Sequence, residues 1–107
     1  HAMSNPPNLS QKQREAALLR AADARRVRAE TKDSLRDGSV TFGELLKLAD
    51  VNELVGKMKT LAALESMPKI GKVKARRLMR EIGIEESRRL KGLGEKQRTK
   101  LLAFFAS

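Results

Sequence analysis

The stretch Met67-Pro68-Lys69-Ile70-Gly71-Lys72-Val73-Lys74-Ala75 carries the most chemistry in the chain. Proline disfavours helical geometry in the residue before it, so a helix halts there; a tight turn containing glycine follows, and a second helix opens among lysines. The first amides of that helix lack intrahelical partners, and the helix dipole and the lysine charge point the same way. Backbone donors, dipole and charge together make a site for an anion such as phosphate. Gly71, with no side chain, lets a nucleic-acid backbone approach closely. The competing structural reading is a plain helix-helix connection with solvated lysines.

Other chemistries find little support. There is no cysteine, which removes thiol catalysis, disulfides and Cys-based zinc sites. The single histidine is His1, and His1-Ala2 ahead of Met3 reads as the remnant of a cleaved expression tag, so a histidine acid, base or metal ligand is not expected. Glu85-Glu86 are adjacent in a connecting segment and read as a charge pair beside a helix end. The sequence points to no enzyme, no metal and no cofactor. No apolar run approaches the roughly 18 residues of a membrane span, so a soluble, cytoplasmic protein is expected.

The elements that must hold the turn read as helices throughout. Residues 1–10, with Pro6-Pro7, form an expected disordered leader behind the tag remnant. From Gln11 to about Arg36 neither glycine nor proline interrupts, which predicts one long helix within residues 11–37. Its apolar face is thin, built on Ala17, Ala24, Val27 and Leu35, so its N-terminal half is expected to project. Arg14, Arg25, Arg28, Lys32 and Arg36 fall within about 80° of one another on the same wheel, a basic stripe.

Residues 38–107 should then form the globular part. Thr41-Phe42-Gly43-Glu44 has capping-box spacing, with Val40 and Leu45 placed as a hydrophobic staple, predicting a helix to about Ala49. Asp50-Val51-Asn52-Glu53 repeats the spacing before a short turn ending at Gly56. A two-turn helix over Thr60–Met67 offers Leu61, Leu64 and Met67 to the core. After the lysine turn, Val73–Ile82 places Ala75, Leu78, Met79 and Ile82 at helical spacing, with Gly83 as its left-handed end. Residues 85–94 show no regular pattern. Glu95 to about Phe105 predicts a last helix turning Leu101, Leu102, Phe104 and Phe105 inward. The fold class is all-α with about five helices.

Charge identifies the class of partner. The 107 residues carry a net charge of +10 with a pI near 10.6. Residues 11–36 contribute +4, residues 37–68 contribute −2 and residues 69–107 contribute +8. A field this concentrated attracts a polyanion, and nucleic acid is the commonest one. With no Trp or Tyr there is no stacking platform for single strands, so duplex with dominant phosphate contacts is expected.

Pro68-Lys69-Ile70-Gly71-Lys72-Val73-Lys74-Ala75 resembles a helix-hairpin-helix turn. Continued through Ile84, Arg88-Arg89-Leu90 and Gly92-Leu93-Gly94, it is similar to the helix-two-turns-helix module of ribosomal protein S13 and certain DNA-repair glycosylases. Together with the Ala/Arg-rich first helix and Val55-Gly56-Lys57-Met58-Lys59, the chain from Ser10 onward resembles actinobacterial integration host factor. The resemblance implies a nucleoid-associated protein that binds and bends duplex DNA with little sequence preference and supports site-specific recombination. Double-stranded DNA is the implied partner, with phage integrase or other nucleoid proteins beside it, and the implied state in solution is a monomer. The implied contacts are Lys57, Lys59, Lys69, Ile70, Gly71, Lys72, Val73, Lys74, Arg77, Arg88, Arg89, Gly92, Gly94 and Lys96. The stripe Arg14, Arg25, Arg28, Lys32 and Arg36 would add a second, weaker DNA contact. The usual helix-hairpin-helix turn has glycine where Lys69 stands, so a positive φ there would strain the lysine, or the lysine adds a phosphate contact. The glycosylase relatives need a separate catalytic domain, which this chain lacks. An RNA or ribosome partner is the alternative, although S13-type proteins carry a long basic tail that has no counterpart here.

Overall fold

The computed structural model describes residues 9–106, so the tag remnant and residues 4–8 of the expected leader lie outside it. Helix α1 (Leu9–Arg36) starts two residues before its expected position, with Leu9 and Ser10 already helical. It is followed by α2 (Phe42–Val51), α3 (Glu53–Gly56), α4 (Thr60–Ser66), α5 (Lys72–Ile82), a 3-10 turn (Leu90–Gly92) and α6 (Glu95–Ala106). Among the described residues there is no strand. An isolated antiparallel bridge joins Lys59 to Arg89.

Helix α1 is anchored at one end only. Leu35 and Thr31 are buried, Val27 packs against the core, and Ala17 is exposed. Leu18 and Leu19 are 65% and 69% exposed, so the N-terminal half projects as the thin apolar face requires. The radius of gyration is 17.8 Å, against about 13 Å for a compact chain of this length. No helix among the described residues is long and apolar enough to cross a membrane.

The capping signals set the next boundaries. Thr41 Oγ1 accepts from the Glu44 amide at 3.1 Å while Glu44 Oε1 accepts from the Thr41 amide at 2.9 Å, a complete capping box. The second expected box resolves differently. Helix α2 runs on to Val51, and Asn52 caps α3 through Oδ1, which accepts from Leu54 and Val55 at 3.0 and 3.2 Å. Asp50 is thereby released to take a bidentate hydrogen bond from Arg98 of α6 at 2.9 and 3.1 Å. Gly56 sits where an added Cβ would lie 2.8 Å from the Ala49 carbonyl oxygen, so the α2–α3 corner closes only around glycine.

The core gathers Leu35, Phe42, Leu45, Leu64, Met79, Leu90 and Leu101. Leu61, Met67 and Ile82 are half-buried against it rather than enclosed. In α6 the expected apolar set splits. Leu101 is buried and Phe105 stacks on Phe42 with centroids 4.9 Å apart, whereas Leu102 and Phe104 are 40% and 36% exposed. Four residues spaced this closely cannot all face one side of a helix, and Leu101 and Phe105, four apart, win the core. Helix α5 ends in a Schellman arrangement: Gly83 has φ 87°, the Ile84 amide donates to the Met79 carbonyl at 2.8 Å, and Ile84 is buried over the end.

Hydrogen bonding from Arg98, helped by its positive charge, holds the Asp50 carboxyl below its ordinary 3.8. Glu44 is lowered likewise by its bonds to Thr41. Stabilisation from a depressed carboxylate is complete above its ordinary value and fades as pH falls through it. Arg98→Met is therefore expected to lower the thermal midpoint at neutral pH, with the gap to the parent chain closing as pH falls below the ordinary carboxylate value and through the depressed one; a gap that persists in acid would show that the ion pair contributes nothing.

Candidate nucleic-acid interface

The lysine turn is built from both ends. Met67 takes the extended geometry (φ −69°, ψ 142°) that a following proline demands. The Ile70 amide donates to the Met67 carbonyl at 3.2 Å, closing a four-residue turn with Pro68 second and Lys69 third. Lys69 has φ 68°, the left-handed value that a type II turn requires at its third residue and that glycine ordinarily supplies. Of the two possibilities raised by the sequence, the backbone strain is therefore real, and the lysine head stands exposed beside it. Ile70 is buried, which plugs the turn into the core and leaves only its main chain for an outside partner.

Gly71 then begins α5 as its N-cap, and no side chain caps the helix. The amides of Lys72, Val73 and Lys74 consequently open outward along the helix axis. Gly71 itself has φ −98°, open to any residue, and an added Cβ would meet nothing within 4 Å. Neither backbone nor packing demands glycine here, in contrast to Gly56 and Gly83. Lys69, Lys72 and Lys74 are exposed and, among the described residues, form no ion pair. Val73 stands between them 75% exposed. Lys74 leans over the Phe104 ring at 5.9 Å, and with Arg77 it flanks a hollow between α5 and α6.

The second turn holds its residues more tightly. Arg88 donates to the Gly92 carbonyl at 3.0 Å and to Glu85 Oε1 at 3.1 Å, bracing its own loop. A Cβ on Gly92 would come within 3.3 Å of the Arg88 side chain. The Gly94 amide donates to Gln97 Oε1 at 2.9 Å, and Gln97 Nε2 donates to the Gly83 carbonyl at 3.1 Å. Gln97 thus caps the start of α6 and the end of α5 together. Its position three residues after Gly94 is capping-box spacing, a signal that the sequence carries even without a serine or threonine at the cap. Lys96 lies on the outer face of α6 beside Thr99 and Lys100.

Arg89 is exposed, and the bridge sets it beside Lys59: the Thr60 amide donates to the Arg88 carbonyl and the Leu90 amide to the Met58 carbonyl, both at 2.9 Å. A recess of about 370 Å³ opens there, lined by Arg28 and Lys32 of α1 together with Lys57, Lys59 and Arg89. Part of the basic stripe is therefore continuous with the globular domain's cations. Arg14 and Arg25 are exposed elsewhere along α1, and Arg36 pairs with Asp33 at 3.3 Å. Lys57 is held by Glu53 at 3.1 Å, and that bond keeps the Glu53 carboxyl below its usual range.

Residues 35–105 match the S13-like H2TH domain. The chain is 52% identical over 101 residues to the integration host factor of Mycobacterium tuberculosis, spanning 94% of this chain and 96% of that one. Against the integration host factor of Mycolicibacterium smegmatis the identity is 50%, spanning 92% and 94%. Against that of Streptomyces coelicolor it is 47%, spanning 98% and 97%. A solved structure of sIHF bound to an 8-bp palindromic DNA superimposes with a TM-score of 0.78 at 45% identity, over 80% of this chain and 97% of that chain.

Lys69→Gly is expected to raise the unfolding free energy by about 0.5–1 kcal/mol in urea titration, the relief of a left-handed lysine less the entropy glycine adds to the unfolded chain. Unchanged or lower stability would show that the turn carries no strain.

Proposed function

Since the chain belongs to the actinobacterial integration host factor family, whose globular part is the S13-like H2TH domain, we propose that it is an architectural protein that grips duplex DNA by its phosphates. The observation that carries this is Gly71: a glycine that neither conformation nor packing requires, at an uncapped helix start with unpaired lysines on both sides. The space a side chain would fill is reserved for something that comes close to the backbone. A phosphate there would accept from the α5 amides and be neutralised by Lys69 and Lys72.

Arg89 and Lys59, brought together by the bridge, supply a second point of contact, with Lys57 beside them. Arg88, Gly92 and Gly94 serve this surface by shaping the second turn, since their polar groups are already engaged within it. Contacts of this kind read the backbone rather than base edges, so sequence preference is low. Two grips joined by a rigid domain suit bending of the duplex, compaction at the nucleoid and a supporting role in recombination beside an integrase. The DNA in the sIHF structure favours this reading over an RNA partner.

Gly71→Thr keeps a good helix cap while placing a branched side chain in the approach path. Its thermal midpoint should stay within about 3 °C of the parent, while duplex affinity by fluorescence anisotropy falls at least about tenfold. Lys72→Ala with Lys74→Ala should weaken binding equally for all sequences and reduce the salt slope by roughly 2. Full affinity in Gly71→Thr together with an unchanged slope in the double variant would place the interface elsewhere.

A further inference from the structure

Like charges held together cost free energy, and a surface that gathers them without carboxylates is arranged against an anion. The recess between α1 and the second turn does this. Arg28 and Lys32 reach it from α1, Lys57 and Lys59 from the link between α3 and α4, and Arg89 from across the bridge. Lys57 has Glu53 as a partner, but among the described residues Arg28, Lys32, Lys59 and Arg89 form no ion pair. Arg26, Arg76 and Arg98 are matched with Glu30, Glu86 and Asp50, whereas Arg14, Arg20, Arg25, Arg77 and Arg80 form no ion pair among the described residues either. What sets this surface apart is that its unmatched cations converge on one recess.

Shape narrows the class of anion. The recess holds about 370 Å³, within the usual range of small-molecule pockets, and Met58 adds apolar surface to its lining. Four unmatched cations around so small a volume suit several negative charges placed close together, as in a chain of two or three phosphates.

We propose that this recess binds a small polyphosphate anion, the chemistry shared by nucleoside di- or triphosphates and inorganic polyphosphate, and that the bound anion competes with duplex DNA. The guanidinium groups of Arg28 and Arg89 donate in pairs to phosphate oxygens, while Lys32 and Lys59 neutralise the remaining charge. Because α1 and the globular domain both supply cations, the occupant also ties the long helix to the domain and stabilises the fold by mass action. Anion binding stands on the recess alone; competition rests on the DNA reading above, through Lys59 and Arg89.

The test is calorimetric titration of the full chain with magnesium-free adenosine triphosphate and, separately, inorganic tripolyphosphate at about 0.15 M salt. Saturable binding is expected, weakened at least about tenfold by Arg28→Ala with Arg89→Ala. The control Lys12→Ala with Lys47→Ala, which removes equal charge outside the recess, should stay within about twofold. The anion should raise the thermal midpoint of the parent and not of the recess variant. Equal affinity for the two anions assigns recognition to the phosphates, and tighter binding of the nucleotide adds a contact to the base. No saturable binding, or equal losses in the two double variants, overturns the site. A labelled duplex that the bound anion fails to displace overturns the competition, whereas a chain that binds the anions but no duplex refutes the DNA reading and leaves the site standing.

Discussion

A turn that offers unsatisfied amides to a ligand must be held in place by something other than those amides, and here that task falls to Ile70. Its side chain is buried, its amide closes the turn onto Met67, and the Pro68 ring fixes φ at the second position of that turn. With the turn pinned from inside, α5 can begin without a side-chain cap and Lys69 can persist at φ 68°. An uncapped start and a left-handed lysine are both costs to folding, and they sit side by side on the surface read here as the phosphate grip. Strain of this kind is tolerated where the surrounding structure over-determines the backbone.

The rest of the domain serves that turn and its neighbour. Gln97 joins the end of α5 to the start of α6, and Arg98 joins α6 to α2 through Asp50, so the α5 helix is framed on its far side. The bridge between Lys59 and Arg89 links the start of α4 to the second turn, and α4 in turn leads into the lysine turn. Both cationic regions therefore sit at the two ends of one short helix. Helix α1 joins this frame only through its C-terminal half, which brings Arg28 and Lys32 to the recess and leaves the remainder extended.

Much of this was legible in the sequence because it rests on local rules. The Thr41 box, the stop at Pro68, the left-handed Gly83 and the thin face of α1 each follow from a few neighbouring residues. What was not legible depends on contacts distant in sequence. Asp50 looked like a cap because its spacing to Glu53 is right, and only its partner Arg98, which lies far along the chain, shows why Asn52 takes that role. Residues 85–94 had no periodicity because they are held by the bridge and by Arg88 bonding within its own loop. Leu102 and Phe104 are as apolar as their neighbours, and only the placement of Phe42 decides that Phe105 enters the core. The joining of Arg28 and Lys32 with Arg89 in one recess needs the packing of α1, which no local pattern gives.

The central claim is that this surface holds the backbone of duplex DNA. Fluorescence-anisotropy titrations against matched duplex DNA and duplex RNA of scrambled sequence, at several salt concentrations, test it most directly. Binding to DNA should be indifferent to sequence, tighter than to RNA, and linear in the logarithm of salt concentration. Equal or tighter binding to the RNA would contradict it and assign the module to RNA.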